Sequence, residues 1–159
     1  MRDYEPLVAA ARACTGLTPG QAMSRAVELL WSAFAHKPIS WVGFYLKDED
    51  ADQMLLVCRE PKPACSPIGL QGVCGRSYLG RKAYIVPDVR TLGGGYIACD
   101  PKDLSEIVLP LIDANGRCEG VLDVDSYDLA AFNEGDYEGM TEILLGLGLT
   151  TARSPLEWL

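Results

Sequence analysis

The stretch EIVLPLIDANGRCEGVLDVD, residues 106–125, contains two apolar segments separated by a turn sequence. Residues 106–112 and 118–125 are each predicted to form a β-strand. The dipeptide Asn115-Gly116 between them is a strong signal for a hairpin turn. This stretch therefore predicts an antiparallel hairpin, around which the other elements are arranged.

Further predicted elements lie on both sides of this hairpin. The segment SWVGFYL, residues 40–46, and residues 54–58 form a second predicted hairpin across an acidic turn. Thr18 followed by Pro19 is a helix-start signal, and apolar residues then recur at helical spacing. The remaining predicted elements are helices at residues 3–14, 73–79 and 133–151, a strand at 83–86, a loop at 60–72 and a long irregular segment at 88–104.

The order of these elements indicates the fold class. Hairpins imply an antiparallel sheet, and the flanking helices would cover its faces. We predict an α+β fold in a single domain over residues 1–159, with its core at about residues 20–150, an N-terminal helix and a short C-terminal tail.

The composition restricts the classes of function. The net charge of -8 disfavours nucleic-acid binding, because an acidic surface repels phosphate backbones. No apolar run approaches the roughly 20 residues of a membrane span. Charged residues interrupt the first 16 positions, so they do not resemble a signal peptide. We therefore expect a cytoplasmic protein whose six cysteines are free thiols unless some are catalytic.

Three cysteines lie in segments rich in glycine and proline: Cys65 in KPAC, Cys74 in GVCG and Cys99 in YIACD. None belongs to a CxxC pair, which argues against a zinc site or a thioredoxin-type motif. Thiol redox chemistry needs one thiolate that attacks and a second that resolves the oxidised sulfur as a disulfide. Alternatively, free cysteines can be small core residues. That interpretation is applied to the remaining cysteines, Cys14, Cys58 and Cys118.

A cluster of carboxylates is predicted near one sheet face. Period-two alternation places Asp123 and Asp125 on the same side of a strand, and Glu106 begins the partner strand. Their repulsion costs stability unless a ligand with a positive group, such as an amino acid's ammonium, offsets it. Crowding would also raise some of their pKa values and leave one carboxyl protonated as a general acid. The alternative is a solvated edge strand whose Asp residues cap turns.

Trp41 and Tyr45 share one face of the first strand, where they pack in the core or form a wall for a ligand. Gly43 between them is expected to leave a hollow, which favours a pocket. His36 is the single histidine and lies far in sequence from the cysteine segments. This argues against a hydrolase with a Cys-His pair. The sequence also lacks the ligand spacing of a metal site, so we expect no metal.

The segments SWVGFYL, KPAC, GVCG, VPDV, IACD, SEIVLPL and GVLDVDS resemble, in this order, the GAF-domain free methionine-(R)-sulfoxide reductases. The resemblance covers roughly residues 20–150. It implies a GAF fold, with an antiparallel sheet, helices on its faces and a ligand pocket under loops. It also implies reduction of free rather than protein-bound methionine-(R)-sulfoxide, with thioredoxin as the external reductant and with no metal or organic cofactor.

The resemblance also implies roles for the three loop cysteines. Cys99 matches the nucleophile, which would attack the sulfoxide sulfur and become a sulfenic acid. Cys65 matches the resolving cysteine, which would form a Cys65–Cys99 disulfide. Cys74 matches a third cysteine with a secondary role.

The remaining site residues follow from the same resemblance. Glu106, Asp123 and Asp125 match carboxylates that line the substrate site, with Glu106 or Asp125 as the proton donor. Trp41 and Tyr45 match the aromatic wall that receives the methyl-sulfur end of the substrate.

The chain departs from the family pattern in two loops. Tyr96 stands where the family usually has a histidine before IACD, and a shorter stretch, residues 58–61, precedes KPAC. A GAF module that binds a small molecule or senses redox state without catalysis is therefore the alternative function. A third interpretation is an interaction protein that uses the C-terminal helix and the apolar tail 154–159. Since GAF domains commonly dimerise through helices, we expect a homodimer.

Overall fold

A computed structural model of the chain describes residues 1–96 and 99–159. In these residues it has four α-helices and seven β-strands. The helices are α1 (Glu5–Ala13), α2 (Pro19–Phe34), α3 (Val73–Gly80) and α4 (Glu134–Gly146). The strands are β1 (Trp41–Lys47), β2 (Gln53–Glu60), β3 (Ile68–Gly69), β4 (Ala83–Val86), β5 (Ser105–Ile112), β6 (Cys118–Ser126) and β7 (Leu156–Trp158). None of these helices combines the length and apolar character needed to cross a membrane.

The strands form one sheet in the order β3-β2-β1-β6-β5-β4-β7. Both predicted hairpins are present, as β1-β2 and β5-β6, and strands β1 and β6 join them in antiparallel pairing. The prediction of an antiparallel sheet fails at one edge, because β7 runs parallel to β4. The tail at residues 154–159, which was considered as an interaction surface, supplies this strand and bonds to β4 through the Leu159 N–H and the Ile85 carbonyl, 3.0 Å apart.

The sheet separates two apolar layers. Helices α1, α2 and α4 cover one face, where Val42, Phe44, Leu122 and Val124 join the main core. Helix α3 and the loops cover the opposite face, where Trp41 belongs to a second cluster. The alternation predicted for β1 and β6 is therefore confirmed: apolar residues point to the helix layer, and the intervening positions point to the loop layer.

Local signals account for the helix ends. Thr18 caps α2 as predicted, in a reciprocal pair of hydrogen bonds with Gln21. Helix α4 ends five residues before the predicted Thr151, because Gly148 adopts a φ of 71°. The Leu149 N–H then bonds to the Leu144 carbonyl at 2.9 Å, which is a Schellman ending. The predicted loop 60–72 contains the two-residue strand β3, and the irregular segment 88–104 contains two short 3-10 turns.

Candidate active site

Three carboxyl groups meet at the centre of the sheet. Glu106 on β5 lies directly opposite Asp125 on β6, and Asp123 lies opposite Val108 two pairs further along, on the same face of the sheet. A set of their oxygen atoms, one from each side chain, lies within 4.8 Å of one another. All three residues are buried, with exposed fractions of 6%, 7% and 9%. Strand β6 lies between β1 and β5, so the alternative of a solvated edge strand is wrong.

Burial favours the protonated form of these carboxyls. It raises the pKa of Glu106 to about 7, and it raises the pKa values of Asp123 and Asp125 well above their ordinary range. Each of the three side chains also has one buried oxygen without a hydrogen-bond partner among the residues the structure describes. Buried polar atoms are normally paired, so these oxygens are suited to contact donors of a bound molecule. The crowding effect predicted from the sequence is therefore present.

The same triad has the geometry of a cation site, since each residue can offer one ligand oxygen. A carboxyl must lose its proton to ligate a metal, so cation binding here would compete with the protonation that burial favours.

A fourth carboxyl, Asp103, lines the same cavity and was missed in the sequence analysis. It is 9% exposed and accepts a hydrogen bond of 3.0 Å from the Ser40 hydroxyl. Burial raises the pKa of Asp103 to about 6. Asp103 lies in the irregular segment between the 3-10 turns and β5, where no periodicity indicates which way a side chain points.

Cys65 and Cys99 form a disulfide, the pairing that the family resemblance implied. Their Cα atoms are 5.7 Å apart, although 34 residues separate them in sequence. Both residues are exposed, so an external thiol can reach the bond. The preceding residues of the IACD motif, Ile97 and Ala98, lie outside the described residues.

Cys74, grouped by sequence with the loop cysteines, lies within the helix predicted at residues 73–79. It lies in the first turn of α3, is buried and is a free thiol. Burial, together with the charge of neighbouring Asp123, raises the pKa of the Cys74 thiol well above its ordinary value. A buried thiol of raised pKa is poorly reactive, which disfavours Cys74 as a nucleophile. The remaining cysteines, Cys14, Cys58 and Cys118, are half-buried free thiols.

The aromatic pair is part of the core and part of the cavity wall at once. The ring centroids of Trp41 and Tyr45 are 6.1 Å apart, and both side chains are buried. Gly43 leaves no hollow, contrary to our expectation. A Cβ atom there would lie 2.3 Å from Cη2 of Trp41, so the indole fills the space above the glycine.

The aromatic pair also holds the segment that carries Cys65. The Trp41 indole N–H donates to the Lys62 carbonyl at 2.8 Å. The Tyr45 hydroxyl donates to the Cys65 carbonyl at 2.8 Å. Two side chains of one strand therefore line the cavity and also hold the segment that carries Cys65.

These groups enclose a cavity of about 200 Å³. The aromatic pair, the four buried carboxyls, Asp100 and Cys99 all line it, with Trp41 directly opposite Asp125 across β1 and β6. Tyr96, which replaces the usual histidine of the family, also lines it, and burial raises the pKa of its hydroxyl. Pockets for drug-sized ligands measure about 300 to 1,000 Å³, so this cavity suits a smaller molecule of amino-acid size.

Comparison with known proteins places this site in context. No protein-family model matches the chain. The chain is 35% identical over 137 residues to the free methionine-R-sulfoxide reductase of Saccharomyces cerevisiae, which covers 80% of this chain and 76% of the yeast protein.

Solved structures give the same result. The reduced form of fRMsr of Staphylococcus aureus is 30% identical, with a TM-score of 0.83 over 92% of this chain and 94% of that one. The free methionine-R-sulfoxide reductase of Neisseria meningitidis in complex with its substrate is also 30% identical, with a TM-score of 0.75 over 93% and 87%. A structure of a GAF domain has a TM-score of 0.82 at 30% identity, over 92% of this chain and 86% of that one.

Proposed function

This chain belongs to the family of GAF-domain free methionine-(R)-sulfoxide reductases, and on that basis we propose that it reduces free methionine-(R)-sulfoxide to methionine. The observation that carries the proposal is one cavity of amino-acid size that contains both Cys99 and the buried carboxyls. A thiol nucleophile and a proton donor are the two groups that the reduction of a sulfoxide requires.

In the first step, the Cys99 thiolate attacks the sulfoxide sulfur while a carboxyl protonates the sulfoxide oxygen. The oxygen is transferred to Cys99, which becomes a sulfenic acid, and the substrate sulfur leaves as the thioether of methionine. Glu106 or Asp125 supplies the proton. Of the two, Glu106 has a pKa of about 7, near which a group can both donate a proton and recover it at neutral pH.

In the second step, the Cys65 thiol attacks the Cys99 sulfur. A sulfur-sulfur bond forms, the sulfur-oxygen bond breaks, and water leaves. The Cys65–Cys99 disulfide and its exposure support this step and its reversal by an external dithiol, which we propose is thioredoxin. Cys74 has a secondary role at most, since its thiol is buried.

The cavity also suggests how a free amino acid is selected. Trp41 and Tyr45 would hold the methyl-sulfur end, and the carboxyls, Asp123 among them, would face the ammonium group. A methionine sulfoxide within a peptide has an amide in place of that ammonium, and the peptide is larger than a cavity of about 200 Å³. The proposal requires no metal or organic cofactor. We further propose a cytoplasmic homodimer, because a thiol cycle needs a reducing compartment and GAF domains commonly pair through helices.

A coupled assay tests the proposal. The protein is combined with thioredoxin, thioredoxin reductase and NADPH, and the R and S epimers of free methionine sulfoxide are supplied separately. We expect NADPH oxidation with the R epimer alone, its loss in Cys99→Ser and its retention in the matched control Cys14→Ser. Methionine formation with dithiothreitol is measured in parallel, so that a wrong reductant is distinguished from a wrong reaction.

Full activity in Cys99→Ser would contradict the assignment of the nucleophile. Absence of methionine formation with either epimer, in a folded protein that binds methionine, would favour a GAF module that binds or senses a small molecule.

A further inference from the structure

Three side chains to which the proposed reaction gives no role join the segments that carry Cys65 and Cys99, and two of them, Lys62 and Asp100, also line the cavity. The Lys62 ammonium lies 2.8 Å from Oδ2 of Asp100, and the Tyr127 hydroxyl donates to the same oxygen at 2.8 Å. Asp100 directly follows Cys99, and Lys62 precedes Cys65 by three residues. The ion pair therefore spans the same two segments as the disulfide, but without using sulfur.

Asp100 is oriented for this contact from a second side. Its other oxygen, Oδ1, accepts the backbone N–H of Lys102 at 3.0 Å. Asp100 is partly desolvated, yet its hydrogen bonds to Lys62, to the Lys102 backbone and to Tyr127 lower its pKa to about 2. The carboxylate is therefore ionised at neutral pH. It accepts hydrogen bonds from the Lys62 ammonium, the Tyr127 hydroxyl and the Lys102 backbone N–H.

Lys62 is also held from its backbone. Its carbonyl accepts the Trp41 indole N–H, and the Cys65 carbonyl accepts the Tyr45 hydroxyl, each at 2.8 Å. Residues 62–65 are therefore tied to strand β1 at both ends. These bonds need no disulfide, since all of their atoms are present in the dithiol form.

We propose that Lys62, Asp100 and Tyr127 form a clasp that keeps Cys65 beside Cys99 when both are thiols, and thereby positions the resolving cysteine. The role of the clasp in the catalytic cycle depends on the proposed function. Its effect on the disulfide does not.

The physical effect of the clasp is a higher effective concentration of one thiol at the other. Closing the Cys65–Cys99 bond joins positions 34 residues apart, and the clasp has already joined positions 38 residues apart around it. Because the clasp has already closed this loop, forming the disulfide costs little further conformational entropy. By linkage, the disulfide strengthens the clasp by the same factor with which the clasp strengthens the disulfide.

The test is the reduction potential of the Cys65–Cys99 disulfide, measured in glutathione buffers. This exchange converts the protein dithiol and oxidised glutathione into the protein disulfide and two molecules of reduced glutathione. We expect Asp100→Asn and Lys62→Met each to weaken disulfide formation about three- to tenfold. This raises the potential by about 15 to 30 mV, at 29.6 mV per tenfold. Tyr127→Phe should shift it in the same direction by less.

The two charge variants separate a clasp from a direct effect of charge on the thiols. Removing the Asp100 carboxylate favours the Cys99 thiolate, whereas removing the Lys62 ammonium disfavours it. Only a lost contact predicts the same direction for both, and the exchanged pair Lys62→Asp with Asp100→Lys should then recover part of the shift. Asp88→Asn is the matched control, because it breaks an ion pair with Arg90 in the same irregular segment.

A second readout follows the cycle itself. After one equivalent of methionine sulfoxide, the clasp variants should accumulate more sulfenic acid, trapped by dimedone, than the unchanged chain. Equal potentials in the unchanged chain, Asp100→Asn and Lys62→Met would overturn the clasp, as would shifts of opposite sign. If the protein fails to reduce methionine sulfoxide at all, the glutathione measurement still decides the matter.

Discussion

Glu106 should make the folded protein less stable as the pH rises, and replacing it should remove that loss. Burial raises its pKa from the ordinary 4.5 to about 7. The folded state therefore holds this proton over a pH range in which the unfolded chain has lost it. The stabilising effect of the proton is complete below about pH 4 and is lost as the pH rises through about 7. At about 1.4 kcal/mol per pH unit, the loss approaches about 3 kcal/mol.

The variant Glu106→Gln keeps the size of the side chain and does not titrate. Its amide group can donate to the facing Asp125 carboxyl. We expect a free energy of unfolding similar to that of the unchanged chain at pH 4, and higher by about 2 to 3 kcal/mol at pH 8. The same variant should lose reductase activity, because it has no proton to donate.

Urea unfolding at several pH values measures the free energy of unfolding of both proteins. The Cys65–Cys99 disulfide is kept oxidised in both, so that they differ only at position 106. The buried carboxyls Asp103, Asp123 and Asp125 remain in both proteins. Because Glu106 raises the pKa values of Asp123 and Asp125, the difference reports Glu106 together with its interaction with them. Glu119→Gln, at an exposed position of β6, is the control and should follow the unchanged chain. If Glu106→Gln gains no stability between pH 4 and pH 8, the argument from burial is wrong.

Three further predictions concern activity and packing. Turnover, measured as kcat/KM against pH, should fall as the pH rises through about 7, where Glu106 loses its proton. Gly43→Ala should raise KM for methionine sulfoxide by about tenfold or more. Its Cβ would lie 2.3 Å from Cη2 of Trp41, so the indole would have to move out of its place in the cavity lining. Gly139→Ala should lower stability by about 1 to 3 kcal/mol in thermal unfolding, because its Cβ would lie 2.1 Å from the Tyr4 ring.

The glycine predictions have an internal control. Gly20 lies in helix α2, and a Cβ there would meet no atom within 4 Å. Gly20→Ala should therefore leave KM unchanged and keep or slightly raise the stability. A KM for Gly43→Ala equal to that of Gly20→Ala, or a constant kcat/KM from pH 6 to 8, would contradict the corresponding argument.

Much of this fold follows from local patterns. Period-two alternation indicates which side chains of β1 and β6 share a face, and it brings Asp123 and Asp125 together without knowledge of the fold. The Thr18 cap and the Asn115-Gly116 turn are likewise local, because a side chain or a glycine satisfies backbone groups a few residues away.

The features that were missed depend on contacts between distant segments. The parallel pairing of β7 with β4 joins the tail to a strand some 70 residues earlier, and nothing in the tail specifies that edge. Asp103 and the Lys62–Asp100 contact lie in irregular segments, where periodicity is silent. Burial of Cys74 required the position of α3 on the sheet, which the short GVCG motif does not contain.

The position of the carboxyls in the sheet order has a consequence for local opening. Glu106, Asp123 and Asp125 lie on β5 and β6, next to β1, in the interior of a seven-stranded sheet, whereas Cys65 and Cys99 lie outside the strands. Amide protons of central strands exchange with solvent only when large parts of a protein open, and those of peripheral segments exchange through small fluctuations. The three carboxyls therefore stay buried until a large part of the domain unfolds. The Cys65–Cys99 disulfide, in contrast, can become accessible through small local openings while the interior strands stay closed.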